Sequence, residues 1–442
     1  MDELIYASAT ALAREIGARR ISAEEVITAY LHRIGEVNGR LNAIVQLPAQ
    51  AALAAARAAD TALARGEIWG PLHGIPFTAK DIFDTAGVVS AAGLIERAGY
   101  VPTENATVVA RMHAAGGILL GKTNCPPGGG GGDSANALYG TTNNPYDLER
   151  TPGGSSGGEA AIIAAGGSPL GIGSDSGGSI RLPAHYCGIA SLRPTAGRVP
   201  ATGGFALAGG LSDYRTQVGP MSRYVADLAL VLPLIAGVDW RDSAVVPMPL
   251  GDPHAVALTN LRAAFYVNDG IAPSSVETAA AVRLAAKALG EAGLAVEEEC
   301  PPMLREAREV TWSYWRHGLM TGDQYDAMML AWDRVRTAML AFMASRDVIL
   351  CPVSDCAALP HRLEHDESTG SGLPSWMQDE RFSYCLPYSL TGYPCAVVRA
   401  GTSAEGLPIG IQLVARPWRE DIVLAVAQLL EDALGGWQRP SL

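Results

Sequence analysis

Short apolar segments alternate with helical patterns along most of this chain. Ser22 and Glu25 form a capping-box pattern, and apolar residues recur at helical spacing after them. An alanine-rich stretch over residues 49–64 predicts a second helix that ends at Gly66. Further helices are predicted at residues 104–115, 157–165, 224–236 and after Ser274 and Glu277, and strands at 72–78, 117–121, 169–173, 261–267 and 348–353. The alternation predicts an α/β fold with a mixed, twisted sheet covered by helices on both faces.

The chain shows no internal repeat, and we expect a single domain over residues 1–442 that begins with helices over about 1–66. A helical insertion is predicted over about 302–345. It is rich in aromatic residues and methionine: Trp312, Tyr314, Trp315, Met328, Met329, Trp332, Met339 and Met343. A helical layer packed on the core is favoured over a substrate-facing lid, although such side chains also suit apolar ligands. Residues 352–373 predict a long irregular loop.

Composition and charge exclude several classes of protein. Hydrophobic residues make up 48% of the chain and charged residues 18%, which argues against disorder. The net charge of −12 argues against nucleic acid and anionic membranes as partners, because both select basic surfaces. The first residues do not resemble a signal peptide, and no apolar run is long enough for a membrane helix. We therefore expect a cytoplasmic protein with a small-molecule substrate, and leave a homodimer open.

The seven cysteines have irregular spacing, which is not typical of a disulfide framework. Cys351 and Cys356 are too far apart for a CxxC pair, and no histidine spacing completes a zinc site. The pattern favours reduced, mostly buried thiols. No metal and no cofactor are expected.

The stretch with the most chemical information lies between Gly153 and Thr195. It holds two serines framed by glycines, Ser155 in GGSSGG and Ser179 in SDSGGSIR, and Lys80 lies upstream in GIPFTAKD. A serine nucleophile needs a base within hydrogen-bond reach. Glycines beside it let a carbonyl group approach and leave backbone N–H groups to hold an oxyanion. The segment therefore predicts an acyl-transfer site whose base is not histidine.

Three successive backbone N–H groups precede the second serine, those of Ser176, Gly177 and Gly178. Without bulky side chains, such a loop can form a nest for a developing oxyanion. The alternative is a glycine-rich turn that holds a structural serine.

Two further motif matches compete with this interpretation. Residues 116–123, GGILLGKT, fit the phosphate-binding GxxxxGK[ST] pattern, but they form an apolar strand followed by Asn-Cys-Pro-Pro instead of a helix. Residues 153–157 fit the GxSxG pattern of Ser–His–Asp hydrolases, which needs a downstream histidine. The available histidines are His254, His317, His361 and His365. The nucleotide interpretation is rejected, and the Ser–His–Asp hydrolase stays as an alternative.

The chain resembles the amidase signature family, and residues 153–195 are especially similar to its fatty-acid-amide-hydrolase-like members. Matching segments run along nearly the whole chain: GPLHGIPFTAKD, GKTNCP, YGTTNNPYD, VGPMSRYVADLAL, PYSLTGYPCAVV and LPIGIQLVARP. The resemblance implies an α/β/α fold and a Ser–cis-Ser–Lys triad. In this triad Ser179 is the nucleophile, Ser155 is a proton bridge held by a cis peptide bond, and Lys80 is the base. Asp175 and Arg181 match a pair that would brace the nucleophile loop.

The implied triad makes a physical demand on Lys80. An ammonium group cannot act as a base, and the ordinary pKa of lysine is about 10.4. Lys80 must therefore be buried enough to be neutral. Asp81, its neighbour in the chain, would oppose this if it faced the same way, so we expect it to point elsewhere.

One departure bears on the substrate. Residues 128–132 are five glycines, in a segment that lines the acyl side of the pocket in relatives with larger side chains. Gly128, Gly129 and Gly130 are therefore candidate substrate-binding residues, and a roomier pocket would admit a bulky or aromatic acyl group. The alternative is a flexible surface loop.

The predicted reaction is hydrolysis of an acyl carbon–nitrogen bond in a small amide, with hydrazides, carbamates and esters open to the same chemistry. Two alternatives remain besides the Ser–His–Asp hydrolase. One is a glutaminase-like subunit of a tRNA-dependent amidotransferase, which would need partner subunits. The other is a non-enzymatic binding protein, which the intact Lys80, Ser155 and Ser179 disfavour.

Overall fold

The computed structural model describes residues 2–205, 216–315, 320–361 and 380–442. The helices are α1 (Asp2–Tyr6), α2 (Ala9–Gly17), α3 (Ala23–Leu41), α4 (Ala49–Ala64), α5 (Thr107–Ala114), α6 (Gly157–Ala164), α7 (Arg181–Cys187), α8 (Val225–Ile235), α9 (Val276–Glu291), α10 (Leu304–Trp315), α11 (Gly322–Met343), α12 (Leu386–Thr391) and α13 (Glu420–Leu434). The strands are β1 (Ile44–Gln46), β2 (Pro76–Lys80), β3 (Ile118–Thr123), β4 (Ala135–Asn136), β5 (Gly140–Thr141), β6 (Leu170–Asp175), β7 (Ala190–Arg193), β8 (Gln217–Ser222), β9 (Arg262–Phe265), β10 (Ala295–Glu298), β11 (Val348–Pro352), β12 (Cys395–Thr402) and β13 (Pro408–Ala415).

Within these residues, eleven strands form one sheet in the order β1-β3-β2-β6-β8-β7-β12-β13-β11-β9-β10. The pairs β2/β3, β2/β6, β9/β10 and β9/β11 are parallel. The other pairs in this sheet are antiparallel. The predicted mixed sheet is therefore confirmed.

Burial along the strands shows where the core lies. Every residue of β2, β3, β6, β8 and β13 is buried, so helices cover both faces of the sheet at these strands. The edge strand β10 differs, because its glutamates Glu297 and Glu298 are exposed. Charged side chains on an edge strand oppose pairing with another chain.

The predicted helix starts are mostly correct. The capping box at α3 is confirmed: the Ser22 hydroxyl accepts the N–H of Glu25 at 3.0 Å, and the Glu25 carboxylate accepts the N–H of Ser22 at 2.7 Å. The start of α9 needs a correction, because its cap is Ser275, which accepts the N–H of Thr278 at 3.1 Å. The Ser274 hydroxyl instead donates to the carbonyl of Val267, which follows strand β9, and so it does not cap the helix.

Two boundaries near the candidate site differ from prediction. Strand β2 starts at Pro76 and runs to Lys80, whereas the predicted strand covered residues 72–78. Residues 72–75 form a turn, in which the N–H of Ile75 donates to the carbonyl of Leu72 at 2.9 Å. Residues 118–123 form the buried strand β3, which confirms that GGILLGKT is no phosphate loop.

The predicted insertion contains helices α10 and α11, which lie between β10 and β11 in the chain. Its buried side chains pack together and against α12, and the indole N–H of Trp332 donates to the carbonyl of Leu390 at 2.7 Å. These helices therefore pack as a helical layer, and Trp315 at the end of α10 also lines a cavity beside Ser179. The predicted loop over residues 352–373 lies partly outside the described residues, which end at 361 and resume at 380.

The thiols behave as predicted: all seven cysteines are free, and Cys125, Cys187, Cys351, Cys385 and Cys395 are buried. Across the described ranges, no helix has the length and apolar character needed to cross a lipid bilayer.

Candidate active site

The fold brings the predicted catalytic residues to one edge of the sheet. Lys80 is the last residue of β2, and Ser174 lies near the end of the neighbouring parallel strand β6. Ser155 lies just before helix α6, and Ser179 lies in the loop between β6 and α7. The carboxyl ends of parallel strands face the same edge of a sheet, which is where α/β enzymes place their ligands.

Hydrogen bonds connect these residues. The side-chain nitrogen of Lys80 lies 2.6 Å from Ser155 Oγ and 2.9 Å from Ser174 Oγ. The peptide bond between Gly154 and Ser155 is cis. The N–H of Ser156 donates to the carbonyl oxygen of Ser179 at 3.1 Å, which holds the two serine loops together. In the described structure no direct hydrogen bond joins the hydroxyls of Ser155 and Ser179, a contact that tightens in many enzymes only when substrate binds.

The side chain of Lys80 is completely buried. This burial lowers its pKa to about 8, although nearby acidic groups, Asp175 among them, act in the opposite direction. An amine with this pKa is partly neutral in mildly alkaline solution and can then accept a proton.

Asp81 behaves as expected. It accepts the N–H of Gly93 at 3.3 Å, and its burial raises its pKa to about 6. Among the described contacts it makes no hydrogen bond or ion pair with Lys80.

The buried pair of Asp175 and Arg181 braces the nucleophile loop. Arg181 donates to the two carboxylate oxygens at 3.0 and 2.9 Å, and it also donates to Gln412 Oε1 at 2.6 Å and Ser389 Oγ at 2.6 Å. Burial alone would raise the pKa of Asp175, but the charges of Arg181 and Arg193 lower it to about 2. The loop is thereby tied to strand β13 and helix α12.

The predicted oxyanion donors need one correction. The N–H of Gly178 donates to the Asp175 carboxylate at 2.8 Å, so it is engaged in bracing the loop. The hydroxyl of Ser176 is hydrogen-bonded to Thr216. The N–H groups of Gly177 and Ser179 have no acceptor among the described residues, and both residues line the cavity described next. The N–H groups of Gly177 and Ser179 are therefore available to an acceptor in this cavity.

A cavity of about 110 Å³ opens beside Ser179. Its described lining consists of Gly129, Gly130, Gly131, Ser176, Gly177, Ser179, Trp315 and Phe382. Of the three candidate substrate-binding glycines, Gly129 and Gly130 line it, whereas Gly128 lies against Phe205. Trp315 and Phe382 were not predicted as site residues from the sequence. Trp315 belongs to the aromatic insertion, but nothing in the local sequence marks Phe382.

The glycine loop leaves room at Lys80. Gly129 has a φ of +76°, and a Cβ at this position would lie 3.2 Å from Ile82 and 3.7 Å from the Lys80 nitrogen. A side chain here would strain the backbone and crowd the lysine. Three glycines of the segment, Gly129, Gly130 and Gly131, therefore lie beside Ser179 and are not a detached surface linker.

The histidines do not form a rival site in the described structure. Ser155 Oγ is bonded to Lys80, and neither Ser155 nor Ser179 is hydrogen-bonded to a histidine among the described residues. His254 and His361 lie elsewhere, with His361 against the carbonyl of Leu148. His317 and His365 lie outside the described residues. In the part of the chain that the structure describes, no three His, Cys, Asp or Glu side chains converge to hold a metal ion.

Comparison with known proteins places the chain in a family. The family model named Amidase matches residues 25–316 and 307–424. The chain is 36% identical over 485 aligned residues to a glutamyl-tRNA(Gln) amidotransferase subunit of Chloroflexus aggregans, with 96% of each protein covered. It is 33% identical over 470 residues to an acylamidase of Rhodococcus erythropolis, with 97% of this chain and 95% of that protein covered. The solved structure of a bacterial aryl acylamidase superposes with a TM-score of 0.86 at 25% identity, over 97% of this chain and 96% of that one.

The chain belongs to the amidase signature family, as the sequence motifs predicted. It is a hydrolase of the class that acts on carbon–nitrogen bonds.

Proposed function

We propose that this protein is an amidohydrolase that cleaves the acyl carbon–nitrogen bond of a small apolar or aromatic amide through an acyl-enzyme on Ser179. The observation that carries the proposal is the buried amine of Lys80, 2.6 Å from Ser155 Oγ, in a fold that also places Ser179 on the wall of a cavity. Lys80 is the base, and Ser155 carries protons between Lys80 and Ser179.

In the first half of the reaction, neutral Lys80 takes the proton of Ser155, and Ser155 takes the proton of Ser179. The Ser179 oxygen then forms a bond with the acyl carbon. The negative charge that develops on the carbonyl oxygen is held by the N–H groups of Gly177 and Ser179. The carbon–nitrogen bond breaks as Ser155 returns a proton to the leaving nitrogen, and Lys80 restores the proton of Ser155.

In the second half, water attacks the acyl-enzyme and gives up one proton through Ser155 to Lys80. The bond between the acyl carbon and Ser179 breaks, and Ser179 regains its proton. The products are an amine and a carboxylic acid. Hydrazides, carbamates and esters follow the same steps with a different leaving group.

The cavity supports an apolar acyl group. Trp315 and Phe382 contribute aromatic surface to it, and Gly129, Gly130 and Gly131 leave space. No side chain in its described lining is charged. Burial of an apolar group against this surface is favourable, whereas a charged group would lose its hydration without an ionic partner.

A second candidate function is that of a glutaminase-like component of an amidotransferase, because relatives at 36% identity carry that name. Glutamine has an ammonium group and a carboxylate, and binding them in a closed site requires partners of opposite charge. The part of the lining that the structure describes beside Ser179 carries no charge, which favours the stand-alone amidohydrolase.

Intact-mass spectrometry after treatment with a fluorophosphonate that carries an aryl group tests the proposal. We expect one adduct on the wild-type chain and none on Ser179→Ala or Lys80→Ala. Lys287→Ala changes an exposed lysine on α9 and should label like the wild type. Labelling that survives both Ser179→Ala and Lys80→Ala would contradict the mechanism.

The same purified chain, without partner proteins, should hydrolyse an aryl amide such as benzamide faster than it hydrolyses glutamine. A preference for glutamine would support the amidotransferase candidate instead.

A further inference from the structure

A buried carboxyl group lies under the candidate site and has no part in the mechanism above. Glu159 belongs to α6, four residues after Ser155, and its side chain is completely buried. One oxygen lies 2.5 Å from Thr78 Oγ1, and the other accepts the hydroxyl of Thr123 at 3.0 Å. A Cβ on Gly171 would lie 2.1 Å from the first oxygen, so the backbone of β6 leaves space for this carboxyl group.

The two threonines flank Lys80. Thr78 precedes Lys80 by two residues on β2, and side chains two residues apart in a strand share a face of the sheet. Thr123 is the register partner of Lys80 on β3. Glu159 therefore joins the helix that begins after Ser155 to both strands that hold the lysine.

Glu159 has no cationic partner in the described structure. It has no ion pair within 4.0 Å in the described structure, and both of its partners are hydroxyl groups. A buried carboxylate without a cation costs several kcal/mol, so the group takes up a proton instead. A protonated Glu159 can donate to Thr78 Oγ1, and Thr78 in turn lies 3.3 Å from the carbonyl oxygen of Leu170.

The surrounding charges have partners of their own. The buried charged groups on the elements packed around Glu159 are Lys80 on β2, Lys122 on β3, Asp175 on β6, Arg181 on α7 and Arg33 on α3. Lys122 donates to Ser90, Asp175 pairs with Arg181, and Arg33 donates to the carbonyl of Ala165. Burial raises the pKa of Glu159 to about 8 even though both lysines oppose the change.

We propose that Glu159 is a positioning residue: a carboxylic acid, neutral at pH 7, that fixes the helix of Ser155 against the strand of Lys80 and, by carrying no charge there, does not stabilise the ammonium form of Lys80. The inference rests on the proposed function. Its physical basis is that a carboxylate at this place would stabilise the ammonium form of Lys80 and so disable the base.

The test compares Glu159→Gln with the wild type in the rate of fluorophosphonate labelling between pH 6 and pH 10. Glutamine can donate to Thr78 and accept from Thr123, as the protonated acid does. We expect the maximal rate to stay within about threefold and the midpoint of the rise to stay within about 0.3 pH unit of wild type. A midpoint lower by about one unit would show that an anion had been removed, and would overturn the proposal.

Glu159→Ala removes the connection as well as the proton. We expect it to label about 10- to 100-fold more slowly while Glu159→Gln stays close to wild type. Equal losses in both variants would contradict the neutral-acid role.

Infrared difference spectroscopy gives a readout that does not depend on catalysis. At pH 7 the wild type minus Glu159→Gln should show the carbonyl stretch of a protonated carboxylic acid. Glu420→Gln is the matched control, because Glu420 is also buried but is paired with Arg198 at 2.8 Å and should show a carboxylate band. A carboxylate band for Glu159 would overturn the neutral-acid proposal, whatever the labelling of Lys80→Ala shows. If Glu159 shows the band of a protonated acid but Lys80→Ala is still labelled, only the proposed function is contradicted.

Discussion

Two lysines at the ends of adjacent strands are equally buried and do different things. Lys80 on β2 and Lys122 on β3 are both completely buried, and burial lowers the pKa of each to about 8. Lys80 contacts the hydroxyls of Ser155 and Ser174. Lys122 donates to the carbonyl of Phe83 and to the hydroxyl of Ser90. Burial therefore makes either amine a weaker cation, but in the proposed mechanism only Lys80 exchanges a proton with the nucleophile, through Ser155.

The contacts of the two lysines explain this difference. A backbone carbonyl has no proton to give, and the Ser90 hydroxyl itself donates to the carbonyls of Phe83 and Val88, so the contacts of Lys122 do not lead to a nucleophile. A serine hydroxyl can both give and accept a proton, so Ser155 can connect Lys80 to Ser179. The comparison shows that a shifted pKa identifies a candidate base only together with the group that the base contacts.

Replacing each lysine by methionine should give the largest contrast. Lys80→Met should lower the fluorophosphonate labelling rate by about a thousandfold, because general-base catalysis contributes about 10²–10⁴. Lys122→Met should instead lower the thermal midpoint and leave the labelling rate of the folded protein within a few-fold of wild type. Loss of labelling in a well-folded Lys122→Met would remove the distinction between the two sites.

The pH dependence sharpens the same comparison. Protonated Lys80 cannot accept a proton, so kcat/KM for an aryl amide should rise with pH and reach half its maximum near pH 8. Initial-rate measurements between pH 6 and pH 10 would show this rise. The midpoint should be the same in Lys122→Met. A shifted midpoint in that variant would mean that the pH dependence reports Lys122 and not Lys80.

A side chain that fills the cavity should change activity, because the cavity lies near Lys80 and Ser179 and not near Lys122. Gly130 lines the cavity and has a φ of −104°, which a leucine can adopt. Gly130→Leu should lower kcat/KM for an aryl amide by about 10- to 100-fold relative to acetamide, because even one methylene in a pocket changes discrimination by about 10- to 200-fold. Gly99→Leu is the control, since no atom lies within 4 Å of its added Cβ. An equal loss for both substrates would argue against an acyl pocket at Gly130.

The smallest expected effect concerns the partner of Lys122. Ser90→Ala removes a hydrogen bond of 2.9 Å to the buried amine, which should lower the free energy of unfolding by about 1–3 kcal/mol. Urea unfolding would measure this change, and the labelling rate should stay at the wild-type value. A lower labelling rate at unchanged stability would connect Ser90 to catalysis.

Particular residues show how far sequence reasoning reached. The glycines around Ser155 and Ser179 are local features, and the family motifs led directly to Lys80, which the fold places beside them. The hydrogen bond from the N–H of Gly178 to the carboxylate of Asp175 is also local, since Asp175 lies only three residues earlier. Asp side chains often accept N–H groups a few residues ahead, so the sequence alone is sufficient to predict this contact.

Other parts of the site depend on distant contacts. Phe382 and Trp315 reach the cavity from segments more than one hundred residues beyond Ser179, and no local pattern marks that approach. Glu159 sits in a stretch of small residues, and its partners Thr78 and Thr123 come from two other strands.

Local order along the chain was sufficient for the alternation of helices and strands, the family and the chemical groups of the site, because helical spacing, capping and glycine-framed serines each act within a few residues. The assembled fold alone decided which buried lysine contacts Ser155 and which aromatic side chains line the cavity. These properties follow from burial and from contacts between residues far apart in the chain, which set desolvation and charge and leave no trace in local sequence.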